Sequence, residues 1–217
     1  MTTGIFVTGT DTGVGKTVAA CALLRAYAAR GLRSVGMKPV ATGNADSAGN
    51  EDVKALEAAG NIDAPAAARN PYALAPAIAP HLAARRTGVQ IELARIDAAY
   101  RELTRFADRI VVEGAGGAFS PLDDEHDMLD IASTIGLPVL LVVGVRLGCL
   151  NHALLSALAI RARGLMLAGW VANAIEPGLP FFAENVATIE QRIAAPRLAT
   201  LAWSASGMPQ WDGAVPI

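Results

Sequence analysis

An apolar run, Ile5-Phe6-Val7, leads straight into Gly9-Thr10-Asp11-Thr12-Gly13-Val14-Gly15-Lys16-Thr17, and an Ala- and Leu-rich stretch follows. A strand, a Gly-rich turn and a helix start in that order constrain the fold more tightly than any other part of the chain. Glycines let successive backbone N–H groups curl inward, and the helix N-terminus adds partial positive charge, so the turn suits an anion. In such a loop the lysine reaches the β- and γ-phosphates and the next hydroxyl ligates Mg²⁺, which assigns those places to Lys16 and Thr17. Gly9 stands one residue earlier than the common spacing, giving G-x5-G-K-T. A helix over 16–29 is expected to stop at Gly31, where a C-cap belongs. The expected ligand is a nucleoside triphosphate.

The 217 residues fit one α/β domain spanning 1–217. With 53% hydrophobic and 18% charged residues there is ample material for a large core. No stretch has the length and purity of a membrane span: the longest apolar run, Leu137 to Val145, is broken by Pro138 and Gly144. The first residues lack the basic-then-apolar pattern of a signal peptide, and two cysteines, Cys21 and Cys149, cannot form a disulfide framework. A cytoplasmic location is the expectation. A net charge of −2 without a basic run argues against nucleic acid as the main partner.

Short apolar runs alternate with helical patterns, the signature of a mostly parallel sheet with helices on both faces. Strands are expected over 4–7, 34–38, 109–113, 139–143, 167–171 and 198–201. Val111, Val112 and the run Val139 to Val143 are near-continuously apolar, as strands buried on both faces require. Helices are expected over 16–29, 52–59, 91–106, 128–134, 152–163 and 182–193. Residues 41–50 are rich in Gly, Asn and Ser and read as a loop; 70–80, punctuated by Pro71, Pro76 and Pro80, read as another.

In open parallel sheets ligands sit beyond the carboxyl ends of the strands. That rule turns strand ends into site candidates. Lys38 closes the second strand and Glu113 the third, ahead of a Gly114-Ala115-Gly116-Gly117 turn. An acidic residue so placed beside a phosphate loop faces the metal, or else is a solvated strand-end carboxylate. Lys38 is either a surface lysine or a second cation for a reaction in which several anionic oxygens develop charge. Asp52 reads first as a helix-start charge favoured by the macrodipole. His81, His126 and His152 have no metal-ligand spacing, and a Cys149–His152 nucleophilic pair has no orienting third group. Trp170, Trp203 and Trp211 suit the core or a base-lining wall better than a nucleic-acid platform.

Several motifs taken together resemble the dethiobiotin synthetase family. They are Val7 to Thr17, Lys38-Pro39-Val40, Val112-Glu113-Gly114-Ala115-Gly116-Gly117 and Leu147-Gly148-Cys149-Leu150-Asn151-His152, joined by Asn70-Pro71-Tyr72, Ala79-Pro80-His81 and Ala168 to Asn173. The lengthened phosphate loop is that family's own form. The likeness runs from about residue 4 to 175 and then fades. It implies a P-loop NTPase fold and a ligase of biotin biosynthesis. That enzyme closes the ureido ring of dethiobiotin from 7,8-diaminopelargonic acid, CO₂ and ATP with Mg²⁺. By the resemblance Lys38 would hold a substrate carbamate and Lys16 would bridge it to the γ-phosphate. Thr17, Asp52 and Glu113 would hold the metal. Thr12, Gly13, Val14, Gly15, Val18, Gly114, Ala115 and Gly116 would surround ATP, with Asn173 and Ala174 at the adenine. Thr42, where the family often has serine, would bind the substrate. Gly148, Cys149, Leu150 and Asn151 would take its carboxylate across a homodimer interface. Around Ala202-Trp203-Ser204 the family closes over the base, and there the tail matches poorly.

Three other readings share the scaffold. A partition-type regulatory ATPase would carry a lysine near the start of the loop, where this chain has Asp11. A small-molecule kinase would release a phosphorylated product without needing CO₂. A guanine-specific switch would want Asn-Lys-x-Asp, where this chain has Asn173-Ala174-Ile175-Glu176.

Overall fold

A computed structural model of the chain describes residues 3–43, 49–206 and 208–216. Residues 44–48 of the loop expected over 41–50 lie outside the described residues. In chain order the first half runs β1 (Thr3–Gly9), α1 (Lys16–Ala28), β2 (Ser34–Met37), β3 (Val40–Thr42), α2 (Glu51–Ala59), α3 (Ala66–Arg69), β4 (Tyr72–Leu74), α4 (Pro80–Thr87) and α5 (Leu93–Leu103). The second half runs β5 (Arg109–Gly117), α6 (Met128–Ile135), β6 (Val139–Val145), α7 (Cys149–Ala162), β7 (Leu167–Ala174), α8 (Phe182–Arg192) and β8 (Arg197–Leu201).

The main sheet has six strands in the order β2-β5-β1-β6-β7-β8, and every neighbouring pair is parallel. Alternate side chains of each strand enter opposite cores. On β1, Phe6 joins one cluster and Ile5 and Val7 the other. Residues of α1 and α2 close one face, and residues of α5, α6, α7 and α8 close the other. All seven residues of β6 are buried, which explains its uninterrupted apolar sequence. Trp170 on β7 is fully buried in the core. β1 lies centrally, with β5 on one side and β6 on the other. Its carboxyl end is therefore the point where the strand order reverses, the ligand position of open α/β sheets.

Four local expectations need correcting. The Gly114–Gly117 stretch is not a turn but continues β5, pairing Gly117 with Gly9 of β1. Glycines there let the two backbones meet with no side chains between them. The segment 70–80 is not all loop: β4 pairs with β3 in a small parallel sheet, and α4 starts on Pro80. Proline is tolerated at the first helical position, where its missing N–H would have no partner anyway. Residues Cys149–Asn151 lie within α7, which starts before His152. The helix expected over 91–106 is shorter, covering Leu93–Leu103.

Candidate functional site

The loop after β1 ends on Gly15, whose φ of 86° is left-handed and which caps α1 without any side-chain hydrogen bond. The first N–H groups of α1 therefore have no side-chain cap, the arrangement that suits a bound anion. A Cβ at position 15 would come within 2.1 Å of the Asn173 side-chain nitrogen, so only glycine fits by conformation and by space. Asn173 Nδ2 donates to the Val14 carbonyl at 2.9 Å, tying β7 to the loop from below.

Beside the loop lies a cleft of about 760 Å³. Thr12, Gly13, Gly15, Lys16, Thr17 and Val18 line one side of it. Lys38, Thr42, Asp52, Glu113, Ala115 and Gly116 face them, so the sequence candidates from four separate segments converge here. Val14 is buried beneath the loop, and Gly114 contributes its carbonyl, which accepts from Lys38 Nζ at 3.3 Å. Asn173 and Ala174 line a smaller adjoining cavity of about 190 Å³ together with Trp203 and Ser204, so the tail does close over that end. Gly148, Cys149, Leu150 and Asn151 line neither cavity; Cys149 is buried and Asn151 exposed at the start of α7.

The centre of the cleft is a compact cluster of charge. Lys38 Nζ lies 2.6 Å from Glu113 Oε1 and 2.9 Å from Asp52 Oδ2. With the Gly114 carbonyl, these partners engage all three ammonium protons. Burial works against the charged lysine, but Glu113 and Asp52 outweigh it and hold its pKa above the usual value. Burial likewise pushes Glu113 up and exceeds the opposing pull of Lys38. On Asp52 the balance reverses: it is less buried, and Lys38 holds its carboxyl below the usual range against desolvation. The Thr17 hydroxyl lies 2.8 Å from both Asp52 Oδ1 and Glu113 Oε1, and its single proton serves one at a time.

Lys16 is parked on the Asp11 carbonyl at 3.0 Å. Burial, then repulsion from Lys38, lowers its pKa to about 8. A polyanion arriving in the cleft would relieve both lysines.

Glu113 Oε2 is buried without a hydrogen-bond partner, an expensive state for a carboxylate oxygen. Together with Asp52 and the Thr17 hydroxyl it offers hard oxygen donors. No group of three or more His, Cys, Asp or Glu gathers as a metal cage among the described residues. Few protein ligands beside a phosphate loop suit Mg²⁺, which keeps waters and shares phosphate oxygens.

Several residues the motifs did not single out hold this arrangement. Lys38 is clamped through its backbone: its N–H donates to the Arg69 carbonyl at 2.8 Å, and its carbonyl accepts from Asn70 Nδ2 at 2.6 Å. The Asn-Pro-Tyr segment thus has a structural task. Asn50 caps α2 by accepting from Val53 N–H and donates to the Thr42 carbonyl, coupling Asp52 to Thr42. Ser120 accepts from the Gly117 N–H at 2.8 Å and lines the cleft. An Asn before a Glu-Asp pair at a helix start was the one available sign of the Asn50 cap.

The chain has relatives among known proteins. A family model described as an AAA domain matches residues 3–210. The ATP-dependent dethiobiotin synthetase BioD of Nitrosospira multiformis is 54% identical over 198 residues, covering 91% of this chain and 87% of that protein. Among solved structures, the MinC:MinD cell division protein complex of Aquifex aeolicus aligns over 95% of this chain and 87% of that chain, with a TM-score of 0.61 and 16% identity. Chloroplast FtsY of Physcomitrella patens aligns over 98% of this chain with a TM-score of 0.59 and 16% identity. This chain spans 62% of that FtsY chain. At such identities these two structures share the fold alone.

Proposed function

We propose, starting from the fact that the chain belongs to the ATP-dependent dethiobiotin synthetase family, that it closes the cyclic urea of dethiobiotin from 7,8-diaminopelargonic acid, CO₂ and ATP. The observation that carries this reading is the Lys38–Glu113–Asp52–Thr17 cluster facing Lys16 across one cleft. It sets two lysines and a hydroxyl beside two carboxylates suited to a metal, with no poised nucleophile among the described residues, which suits a reaction whose intermediates are all anionic.

One substrate amine adds to CO₂ and loses a proton, giving a carbamate. A carbamate oxygen attacks the γ-phosphorus and ADP leaves. The second amine attacks the carbonyl carbon of the resulting carbamic–phosphoric anhydride, the ring closes, and phosphate leaves with a proton lost from nitrogen. Lys38, kept charged by its carboxylate neighbours, exchanges one of them for the carbamate and holds it in line. Lys16 leaves the Asp11 carbonyl for the β- and γ-phosphates and bridges toward the carbamate. Backbone N–H groups of 12–17 cradle the phosphates. Thr17, Asp52 and Glu113 hold Mg²⁺, which neutralises phosphate oxygens when bound. Thr42 donates to the substrate, while Asn173 and Ala174 meet the adenine beside Trp203. The Gly148–Asn151 segment takes the substrate carboxylate across a homodimer interface, consistent with its place outside its own chain's cleft. No helix among the described residues is long and apolar enough to cross a membrane, and the enzyme works in the cytoplasm.

The deciding experiment incubates purified protein with ATP, Mg²⁺, bicarbonate and 7,8-diaminopelargonic acid and reads the product by mass. Dethiobiotin that needs both ATP and bicarbonate is expected. A phosphorylated amine formed without bicarbonate would mean a kinase instead.

A further inference from the structure

A carboxylate inside a phosphate-binding loop is an electrostatic anomaly. Asp11 lies between Gly9 and Gly15, in the loop whose backbone and lysine have to attract a highly charged anion. Its main-chain carbonyl is the resting partner of Lys16, and its Oδ1 accepts from the Thr12 N–H at 2.7 Å. Left alone, its negative charge would oppose the binding of phosphates in the same loop. It is not left alone. The guanidinium of Arg146 donates to Asp11 Oδ2 at 2.6 Å, reaching in from the carboxyl end of β6. Arg146 does not line the cleft. It stands outside the loop, 135 positions away in sequence; its guanidinium meets the loop at Asp11, while its carbonyl accepts from the Cys149 N–H at 3.0 Å.

We propose that Arg146 is a positioning and charge-cancelling residue for the phosphate loop, without which the Asp11 carboxylate opposes ATP binding. The inference rests on the loop being the ATP site. Each side chain of the pair is a little under half exposed, so mutual attraction contributes little to folding. Its effect falls on the nucleotide instead. Removing the arginine adds net negative charge beside a triphosphate while leaving the fold in place. A surface ion pair would have nothing so charged beside it.

A mutant cycle read by calorimetric ATP titration separates this role from a structural one. Arg146→Met should raise the Kd for ATP about three- to tenfold with an unchanged melting temperature. The deficit should shrink as salt is raised, since screening weakens repulsion between partly exposed charges. Asp11→Asn keeps the acceptor for Thr12 N–H and removes the charge. Combined with Arg146→Met it should bring affinity back toward the parent's, and Arg146→Lys should keep most of it. The proposal is overturned if Arg146→Met binds ATP like the parent. It is equally overturned if the double variant stays as weak as Arg146→Met, because Arg146 would then act on the nucleotide or the backbone directly. A parent protein that fails to bind ATP would instead sink the reading of the loop itself.

Discussion

Lys38 shows how a residue can be legible in sequence while its environment is not. A lysine closing a strand beside a Gly-rich phosphate loop can be placed by the rule of strand carboxyl ends. Its two carboxylate partners stand 14 and 75 positions away, and only the fold shows that one ammonium holds both. Asp52, which reads alone as a helix-start charge, acquires a role only through that contact. Arg146 carries no local signal at all, because its partner Asp11 lies 135 positions away, in the loop after the neighbouring strand β1. The cluster yields a divided outcome for Lys38→Met. Removing the ammonium strands Glu113 in a buried site, and breaking such a pair costs about 3–5 kcal/mol of stability. ATP affinity, set by the neighbouring loop, should stay within about threefold, while turnover falls by about 10²–10³. Thermal melting, ATP titration and single-turnover kinetics check the three parts separately. An ATP affinity that falls in step with the rate would make Lys38 a nucleotide ligand. Lys16 adds a pH dependence. In the ligand-free fold it loses its proton near pH 8, whereas the unfolded chain keeps it to about 10.5. Between those values the unfolded state binds more protons, so Lys16 makes the ligand-free fold gain stability as pH rises through that window. ATP does the opposite to this group by favouring its charged form. Binding above pH 8 should therefore take up a proton, and affinity should weaken as pH climbs. Titrations in buffers of differing ionisation enthalpy measure that proton directly.

At the scale of elements, periodicity marked the long helices and the buried strands, because one face or both faces must be apolar. It missed the β3–β4 sheet and α4, where short strands carry too few residues for a pattern and Pro80 looks like a breaker. Next to that overlooked layer, between α3 and β4, Asn70 clamps the Lys38 backbone. The seating of α2 matters in the same way, because α2 presents Asp52. Strand β2 allows α2 and α1 close approach at Gly36, where a Cβ would lie 2.7 Å from Leu56 Cβ and 3.2 Å from Leu24 Cδ1. Gly36→Ala should push α2 outward and cost about 1–3 kcal/mol by overpacking. With Asp52 displaced, more Mg²⁺ should be needed for half-maximal rate. Denaturant unfolding beside an activity–Mg²⁺ curve tests both halves. A variant that loses stability while its metal curve overlays the parent's would show that α2 does not set the position of a metal ligand.

For the whole molecule, the alternation of strands and helices made the parallel α/β architecture legible, but the strand order needed the structure. That order places β1 centrally and brings segments far apart in sequence to one edge. One part of the expected site stays outside the assembled cleft, namely the Gly148–Asn151 turn at the head of α7. The same helix exposes Leu155 and Leu158, by 55% and 63%, along a groove of about 740 Å³ that also includes Phe119. Leu147, just before the helix, is fully exposed. Apolar side chains gathered in this way suit the homodimer interface proposed above, in which one α7 head would meet its partner's cleft. Leu158→Glu sets a charge into that surface without touching the cleft or the core. If the proposed dimer uses this surface, sedimentation should show a dimeric parent and a Leu158→Glu monomer that still binds ATP. If the partner supplies the group that meets the substrate carboxylate, a lost hydrogen bond to a charge is worth about 1.5–3 kcal/mol. The KM for diaminopelargonic acid should then rise about 10- to 100-fold. A Leu158→Glu monomer with the parent's KM would mean that each chain completes its own site, and that α7 associates for some other reason.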